Sequence, residues 1–198
     1  MHLTIKIPER DLRDVMPSER ELAQAAGEGV RDCIRQHLTD RSQHTEPNRH
    51  GLPHSGYWHK AANTVKINAV SGSVATISIG AEDDNPKSPG QGVALHYYGG
   101  VVYPTGGRKA LAIPISPEVA RDNPRTVNAI TGGIALVWPK NSGHGFLKDE
   151  NTNELLWLLI PKATIKADPT VLPTDDKMCD AAMDMIYSYI DSKGGAAS

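Results

Sequence analysis

The sequence has few cysteines and no large excess of charge of either sign. Only Cys33 and Cys179 occur in 198 residues, and each lies in a helix-like segment, where a small buried thiol is the usual form. We therefore expect a reduced protein that is made in the cytoplasm. The net charge of −2 lacks the basic excess that counterion-release binding to nucleic acid requires, which argues against bulk DNA binding.

Long apolar runs are also missing. No window approaches the roughly 18 apolar residues of a membrane span. The N-terminal segment MHLTIKIPERD carries charges among its first ten residues and has no apolar run of about 7–15 residues, so it does not resemble a signal peptide. We expect no membrane partner.

What the sequence does contain predicts one α+β domain over residues 1–198. Hydrophobic residues make up 39% of the chain, and its 18 Gly and 14 Pro mostly separate apolar runs, as turns between strands do. We expect a mixed, mainly antiparallel β-sheet packed against a long N-terminal helix, with a C-terminal helix and long loops. The predicted parts are an N-terminal strand and link (1–17), a core (18–173), and a C-terminal helix with a flexible tail (174–198).

The long N-terminal helix is predicted to begin near residue 19. Ser18 and Glu21 have the spacing of a capping box, in which each side chain bonds an unpaired backbone amide. Gly27 and Gly29 weaken the helix but permit close packing. An apolar stripe recurs at three- and four-residue steps: Leu22, Ala26, Val30, Cys33, Ile34 and Leu38.

Alternating patterns predict the strands. HLTIKIP reads as an N-terminal strand, and TVKINAV and VATISI as a hairpin with a short glycine turn. GVALHYYGGVVYP and ALAIPIS are predicted as two more strands. GGIALVWP and ELLWLLI are apolar enough for central strands, bridged by a polar tip, FLKDENTNE. The final helix, DDKMCDAAMDMIYSYI, has one apolar face: Met178, Ala182, Met185, Ile186 and Tyr189.

Histidines suggest the first candidate chemistry, because six of the eight lie in the first sixty residues and His50, His54 and His59 fall close together, as in a zinc or nuclease site. His50 and His54 are four apart, but Gly51 and Pro53 argue against the helix that would align them, and no cysteine is near enough to complete four ligands. We therefore predict no metal site. A small metal-dependent phage nuclease built on this His-rich loop stays as the alternative function.

The same loop, residues 48–58, also has a purely structural interpretation. Tyr57 and Trp58 are large apolar groups whose burial would hold an irregular segment in place. Under this interpretation the loop is a clasp, and its histidines brace the loop or face solvent.

Signatures of common enzymes are missing. The Gly-x-Ser-x-Gly turn of serine hydrolases does not occur, and YGGVVYPTGGRK lacks the spacing that lets backbone amides wrap a phosphate. The acidic run Glu82–Asp84 is typical of a solvated loop tip. We predict no enzyme, no catalytic residue and no cofactor.

The stretch HYYGGVVYPTGGRKALAIPIS holds the candidate site residues. Tyr97 and Tyr98 are predicted to end a strand that is bulged at Gly99 and Gly100, with LAIPI returning as its partner strand. Pro114 then implies an edge or a bulge, and an edge with aromatic residues suits contact with another subunit. The candidates for subunit contact are Tyr97, Tyr98, Gly99, Gly100, Arg108 and Lys109. A simple buried hairpin explains the same residues, and both interpretations stay open.

Five elements follow one another over roughly residues 30 to 173. An amphipathic helix leads into an Asn-x-x-Gly-x-Pro loop with an aromatic residue, and an aromatic-Gly-Gly segment with a following proline comes next. Leu-x-Ile-Pro, tryptophan-containing and Asp-Pro-x-x-Leu-Pro segments complete the order. The residues are Asn48, Gly51, Pro53, Tyr57, Tyr98, Gly99, Gly100, Pro104, Leu111, Ile113, Pro114, Trp157, Asp168, Pro169, Leu172 and Pro173. This succession resembles the virion morphogenesis and tail-completion proteins of tailed bacteriophages.

The resemblance implies a structural virion protein without catalysis, a neck, tail-completion or tail-terminator component. Such a protein would form a homo-oligomeric ring, of six subunits by analogy, at the head–tail junction or tail end of the virion. Its assembly would take place in the host cytoplasm. Its partners would be neighbouring neck and tail proteins and DNA passing through the channel. Arg108 and Lys109 would face that channel or an acidic neighbouring ring.

Overall fold

The computed structural model describes residues 17–44, 52, 56–80, 89–120, 122–125, 127 and 133–194. The predicted N-terminal strand, His50, His54 and the acidic run Glu82–Asp84 lie outside these residues. The helices are α1 (Glu19–His44), α2 (Tyr57–Ala62), α3 (Pro89–Tyr98) and α4 (Asp175–Gly194). The strands are β1 (Val65–Ser71), β2 (Val74–Ile79), β3 (Gly100–Val102), β4 (Leu111–Pro114), β5 (Ile134–Val137), β6 (Gly145–Asp149), β7 (Leu155–Ile160) and β8 (Ala163–Ile165).

The fold class is α+β, as predicted, with antiparallel sheets, a long N-terminal helix and a C-terminal helix. The strands form a β1–β2 hairpin, a β3–β8 ribbon and a four-stranded sheet in the order β4-β7-β6-β5. The chain divides into two compact units. The helical unit comprises Met1–Thr39, Ala61–Gln91 and Leu172–Ser198, and the sheet unit comprises Asp40–Lys60 and Gly92–Val171. The single domain over 1–198 stays a prediction.

Helix α1 begins with the predicted capping box. The Ser18 backbone N–H and hydroxyl each donate to Glu21 Oε2 at 2.9 Å, and the Glu21 N–H donates to Ser18 Oγ at 3.3 Å. Each side chain thus satisfies an amide that has no partner within the helix. Further along α1, the Arg35 guanidinium donates to the Val65 carbonyl at 2.8 and 3.2 Å, which joins the helix to the start of β1.

Two glycines let α1 pack on both sides in the helical unit. A Cβ at Gly27 would lie 2.9 Å from Ala75 Cβ on the hairpin, and a Cβ at Gly29 would overlap the Ala181 carbonyl oxygen on α4. The two residues lie on nearly opposite sides of a helix that turns about 100° per residue. The unit therefore has three layers, with α1 between the β1–β2 hairpin and α4.

Helices α1 and α4 run antiparallel. Glu21, at the start of α1, accepts from Tyr189 Oη at 2.8 Å and from Lys193 Nζ at 3.2 Å near the end of α4. Cys33 Sγ lies 3.7 Å from the Lys177 carbonyl near the start of α4. The capping carboxylate of one helix thus also anchors the far end of the other.

The sheet unit is built on β7, an internal strand of the four-stranded sheet. Trp157 on this strand is fully buried. The turn between β6 and β7 is shaped by Asp149, whose carboxylate accepts from the backbone N–H groups of Asn151 and Thr152 at 2.7 and 3.0 Å. The core cluster of this unit is Val119, Val127, Leu156 and Trp157, with Ile134 and Leu147 packed against it.

Several strand predictions were wrong. Residues 92–98, predicted as a strand, belong to helix α3. Strand β3 pairs with β8, and β4 pairs with β7, so LAIPI is not the partner of the GVV segment. The GFLKD segment is strand β6 rather than part of a polar tip, and β5 is an edge strand rather than a central one. Pro114 does lie on an edge strand, as predicted.

Two smaller predictions also changed. Cys179 is exposed and Cys33 is half-buried, so neither is the fully buried thiol that their helical positions suggested. Tyr57 and Trp58 begin helix α2 and do not lie in an irregular loop. Trp58 is buried, as the clasp interpretation requires.

Candidate functional site

The predicted contact residues Tyr97 and Tyr98 end helix α3. Their rings make an edge-to-face contact with centroids 4.9 Å apart. Tyr98 is 78% exposed, whereas Tyr97 is half-buried. Tyr98 is therefore available for contact with another chain, with Tyr97 bracing its ring.

Gly99 and Gly100 serve the passage from α3 into β3. Gly99 has φ 74°, in the left-handed region that favours glycine, and a Cβ there would lie 2.7 Å from the Ala167 backbone nitrogen. A Cβ at Gly100 would lie 2.8 Å from Leu95 Cδ1. These glycines permit a close approach within the chain, so the structure gives them an internal packing role and not the strand bulge that we predicted.

The outward face of the β3–β8 ribbon is a small apolar and basic surface. Val101 pairs with Thr164, and side chains two residues apart along each strand point to the same side. All residues of that side are exposed. This surface, called the ribbon face below, comprises Val101, Tyr103, Lys162, Thr164 and Lys166.

The segment Pro104–Lys109, which carries the predicted contact residues Arg108 and Lys109 and is called the basic tip below, follows the ribbon face along the chain. Gly106 and Gly107 have φ 65° and 72°, which makes the turn specific for glycine. Arg108 and Lys109 are exposed. Within the described residues neither forms an ion pair, so both charges are available to a partner.

A cluster of polar and aromatic side chains, called the anchor cluster, was not predicted from the sequence. Arg41, near the end of α1, pairs with the Asp168 carboxylate and donates to the Thr170 carbonyl at 3.2 Å. Its guanidinium carbon lies 4.9 Å from the centroid of the Trp58 ring, in a cation–π contact. The Trp58 ring in turn lies 5.0 Å from the His96 ring. The anchor cluster is therefore Arg41, Trp58, His96, Asp168 and Thr170.

The anchor cluster is electrostatically ordered. Hydrogen bonds from Thr170, and the Arg41 guanidinium, hold the pKa of Asp168 below its usual value. Burial lowers the pKa of His96, the charge of Arg41 adds to this, and Asp168 opposes it. Burial raises the pKa of the neighbouring Tyr57 to about 12. The arrangement favours a neutral imidazole beside a charged Arg41–Asp168 pair, which holds three separate chain segments together.

The sequence offered a partial signal for this cluster. Asp168 precedes Pro169 and accepts from the Thr170 N–H at 3.0 Å, a turn that the Asp-Pro-Thr order favours. The proximity of Arg41 depends on tertiary structure and has no local signal. Tyr57 and Asp168 are both among the residues that carry the phage resemblance.

A second surface, which was not predicted from the sequence, is the outer side of α4. Met183, Tyr187 and Ile190 are 44, 59 and 41% exposed. Their spacing of four and three residues puts them on one side of the helix, opposite the side that packs on α1. This surface is called the α4 stripe below. The spacing of these three residues is a signal in the sequence, like the spacing of the apolar face that was predicted for the same helix.

The described residues contain no cluster of metal-ligating side chains that would support the metal-dependent nuclease alternative. Among them, no three His, Cys, Asp or Glu side chains lie close enough together to hold a metal ion. His59, which follows the His-rich loop and lies on helix α2, is exposed. In the same part of the chain no helix is both long and apolar enough to cross a membrane.

Comparison with known proteins gives no family. No protein-family model matches the chain, no curated protein matches it, and no solved structure matches it.

Proposed function

We propose that the chain is a structural virion protein of a tailed bacteriophage, a neck, tail-completion or tail-terminator component that assembles as a ring at the head–tail junction. The resemblance of the ordered segments between residues 30 and 173 suggests the class of virion protein. Ring partners would be copies of the chain and adjacent neck and tail proteins, with DNA passing through the channel.

The observation that supports this proposal best is the number of large apolar side chains on the surface. Exposed residues of this kind include Tyr98 at the end of α3, residues on the segments of β3 and β5, and residues on the outer side of α4. Exposed apolar patches flanked by polar residues are typical of protein–protein contact. The residues are Tyr98, Val101, Tyr103, Leu136, Trp138, Met183, Tyr187 and Ile190.

The edges of the sheets support the same proposal. Strands β4 and β5 bound the four-stranded sheet, and the β3–β8 ribbon has only two strands. Unpaired strand edges invite pairing with another chain unless they are blocked or covered. Pro114 limits this at β4, whereas β5 carries the exposed Leu136 and leads into Trp138. A neighbouring subunit would cover such an edge.

The test is deletion of the gene in a phage that encodes the chain, with restoration from a plasmid as the control. We expect heads and tails that do not join, or tails without a finished end, when the gene is absent. Immunogold labelling of restored particles should place the protein at the junction or tail end. Infectious particles that form normally without the protein would overturn the proposal.

The nuclease alternative makes a separate prediction. Under this alternative the purified protein binds stoichiometric zinc or manganese and cleaves DNA, and a His50→Gln/His54→Gln variant loses both the metal and the cleavage. That result would favour an enzymatic role over the structural one. Under the structural proposal this variant should assemble normally and keep its thermal stability.

A further inference from the structure

We propose that the ribbon face of one copy of the chain binds the α4 stripe of the next copy, in a head-to-tail contact between two different surfaces. This inference rests on the proposed function, because it names the surfaces through which a ring subunit would contact its two neighbours. It adds the chemistry of that contact, which is an apolar centre with opposite charges on the two sides.

The α4 stripe is an apolar surface with an acidic border. Tyr187 is at its centre, and Asp180 continues the same three- and four-residue spacing toward the start of the helix. Asp184 and Asp191 lie beside Tyr187, three residues before and four residues after it. All three aspartates are exposed. The opposite side of α4 is occupied by α1, at the point where Gly29 meets Ala181.

The ribbon face is an apolar surface with a basic border, opposite in charge to the border of the α4 stripe. Val101 and Tyr103 supply the apolar centre, 43 and 60% exposed. Lys162 and Lys166 stand at the two ends of β8, on the side of the exposed Thr164. Aromatic residues are enriched in the buried centres of interfaces, and flanking charges set their partner and orientation.

These border charges are not neutralised within the described part of the chain. Ion pairs there involve Arg31, Arg41 and Lys193, and none involves the lysines of the ribbon face or the aspartates beside the α4 stripe. A partner of opposite charge would therefore gain attraction without breaking an existing pair. The chain itself presents both halves of such a match.

The signs of the charges also select the geometry. A twofold contact of the ribbon face with itself would bring lysines together, and a twofold contact of the α4 stripe would bring aspartates together. Pairing of the two different surfaces avoids both repulsions. Contact between different surfaces, repeated with a rotation that closes, produces a ring.

Charge reversal with restoration tests the contact in the purified full-length protein. Lys162→Glu/Lys166→Glu on the ribbon face, or Asp180→Lys/Asp184→Lys on α4, should each weaken self-association by about tenfold or more in Kd, measured by sedimentation velocity. All four substitutions in one chain should restore most of it. The matched control is Lys60→Glu/Lys140→Glu, which reverses two other exposed lysines and should leave Kd near the parent value.

Disulfide trapping supplies a second measurement. In a chain with Cys33→Ala and Cys179→Ser, one sample carries Thr164→Cys and another carries Tyr187→Cys. When the two samples are mixed under oxidation, we expect a covalent heterodimer. The control mixes Thr164→Cys with Ser71→Cys, which places the second thiol on the exposed end of β1, and its heterodimer yield should be several-fold lower. Circular dichroism checks that each variant is folded.

The inference is overturned by protein that stays monomeric up to millimolar concentration, by self-association insensitive to either reversal, or by trapping no greater than the Ser71→Cys control. These outcomes leave the proposed function standing if labelling still finds the protein at the head–tail junction. Conversely, charge-dependent self-association of a protein that is absent from virions supports this contact and rejects the proposed function.

Discussion

Two glycines set the packing of the helical unit, whereas two tryptophans fill the sheet unit. In the helical unit, Gly27 and Gly29 remove side chains so that α1 approaches the hairpin on one side and α4 on the other. In the sheet unit, Trp157 on β7 supplies bulk among the strands, and Trp58 on α2 packs beside the His96 ring and the Arg41 guanidinium. One unit therefore brings its elements together by leaving side chains out, and the other fills the space between its elements with large side chains.

The largest effect on stability is expected at Trp157, where a large side chain fills the core of the sheet unit. Trp157→Ala should lower the free energy of unfolding by about 3–5 kcal/mol, because it leaves a cavity at a fully buried site. Trp157→Phe retains part of the volume and should cost less. Urea denaturation followed by circular dichroism measures both. A Trp157→Ala protein as stable as the parent would show that this side chain does not organise the sheet unit.

The next effect tests close approach in the helical unit. Gly29→Ala gains about 1 kcal/mol of helix propensity, but its methyl group would overlap a backbone oxygen of α4, which cannot move independently. We expect a net loss of about 1–3 kcal/mol. Gly27→Ala is the matched control, since it has the same propensity gain and meets a side-chain carbon at 2.9 Å. Thermal melts should rank Gly29→Ala below Gly27→Ala, and the reverse order would contradict the proposed helix contact.

A third experiment asks whether the sheet unit also depends on polar contacts. Arg41→Ala removes the Asp168 pair and the contact with the Trp58 ring, for an expected loss of about 1–2 kcal/mol. Arg41→Lys keeps the charge but not the planar donor geometry, and should recover less than half of the loss. A double-mutant cycle with Trp58→Phe isolates the contact with the ring. Additive losses would mean that Arg41 and Trp58 act independently.

A smaller effect is expected from pH. The pKa of His96 is lowered in the folded protein, so its contribution to stability is complete above the unfolded value near 6.5 and is lost as pH falls through the folded value. The lowered pKa of Asp168 gives a further loss of stability at more acidic pH, below the ordinary aspartate value of 3.8. Urea midpoints between pH 7.5 and 5 should fall in the parent and change less in His96→Gln. The exposed His144→Gln serves as the control, and equal slopes in all three proteins would reject the assignment.

The smallest effect on stability is expected at the basic tip, which belongs to neither core. Arg108→Glu/Lys109→Glu should leave the melting temperature and circular dichroism unchanged, because both side chains are exposed. Under the proposed virion function, the same variant should produce fewer infectious particles in an assembly assay. Normal particle yield and DNA delivery in this variant would show that the basic tip does not contribute to a functional contact.

The sequence predicted the helical unit better than the sheet unit for a physical reason. The capping box at Ser18 and the β1–β2 hairpin are local patterns, and both were confirmed. The predicted α1 stripe was confirmed only in part: Ile34 and Leu38 are buried, its other members are half-buried, and the buried Ala23 and Ala25 lie outside it because the helix packs on two sides. Residues 92–98 contain β-favouring valine and tyrosine, yet form a helix whose first residue, Pro89, suits that position. The intrinsic preference of these residues for β-strand was outweighed there by tertiary contacts.

The candidate surfaces were predictable only in part. The exposure of Tyr98 and of the tip residues agrees with their proposed role, while the glycines between them proved to be internal. The ribbon face joins residues from β3 and β8, which are far apart in sequence, so no local pattern could reveal it. The same is true of the anchor cluster, where Arg41 and Asp168 meet through the fold alone.

The contact between Gly29 and Ala181 has a consequence for synthesis on the ribosome. Helix α1 emerges early, but the helix that covers one of its sides is translated much later, after the whole sheet unit. Nascent chains must therefore keep that side of α1 uncovered for most of translation, a period in which chaperones can bind it. A chain that stops before α4 lacks the cover for α1 and also lacks the α4 stripe. Truncated copies would thus leave one side of α1 open to proteases.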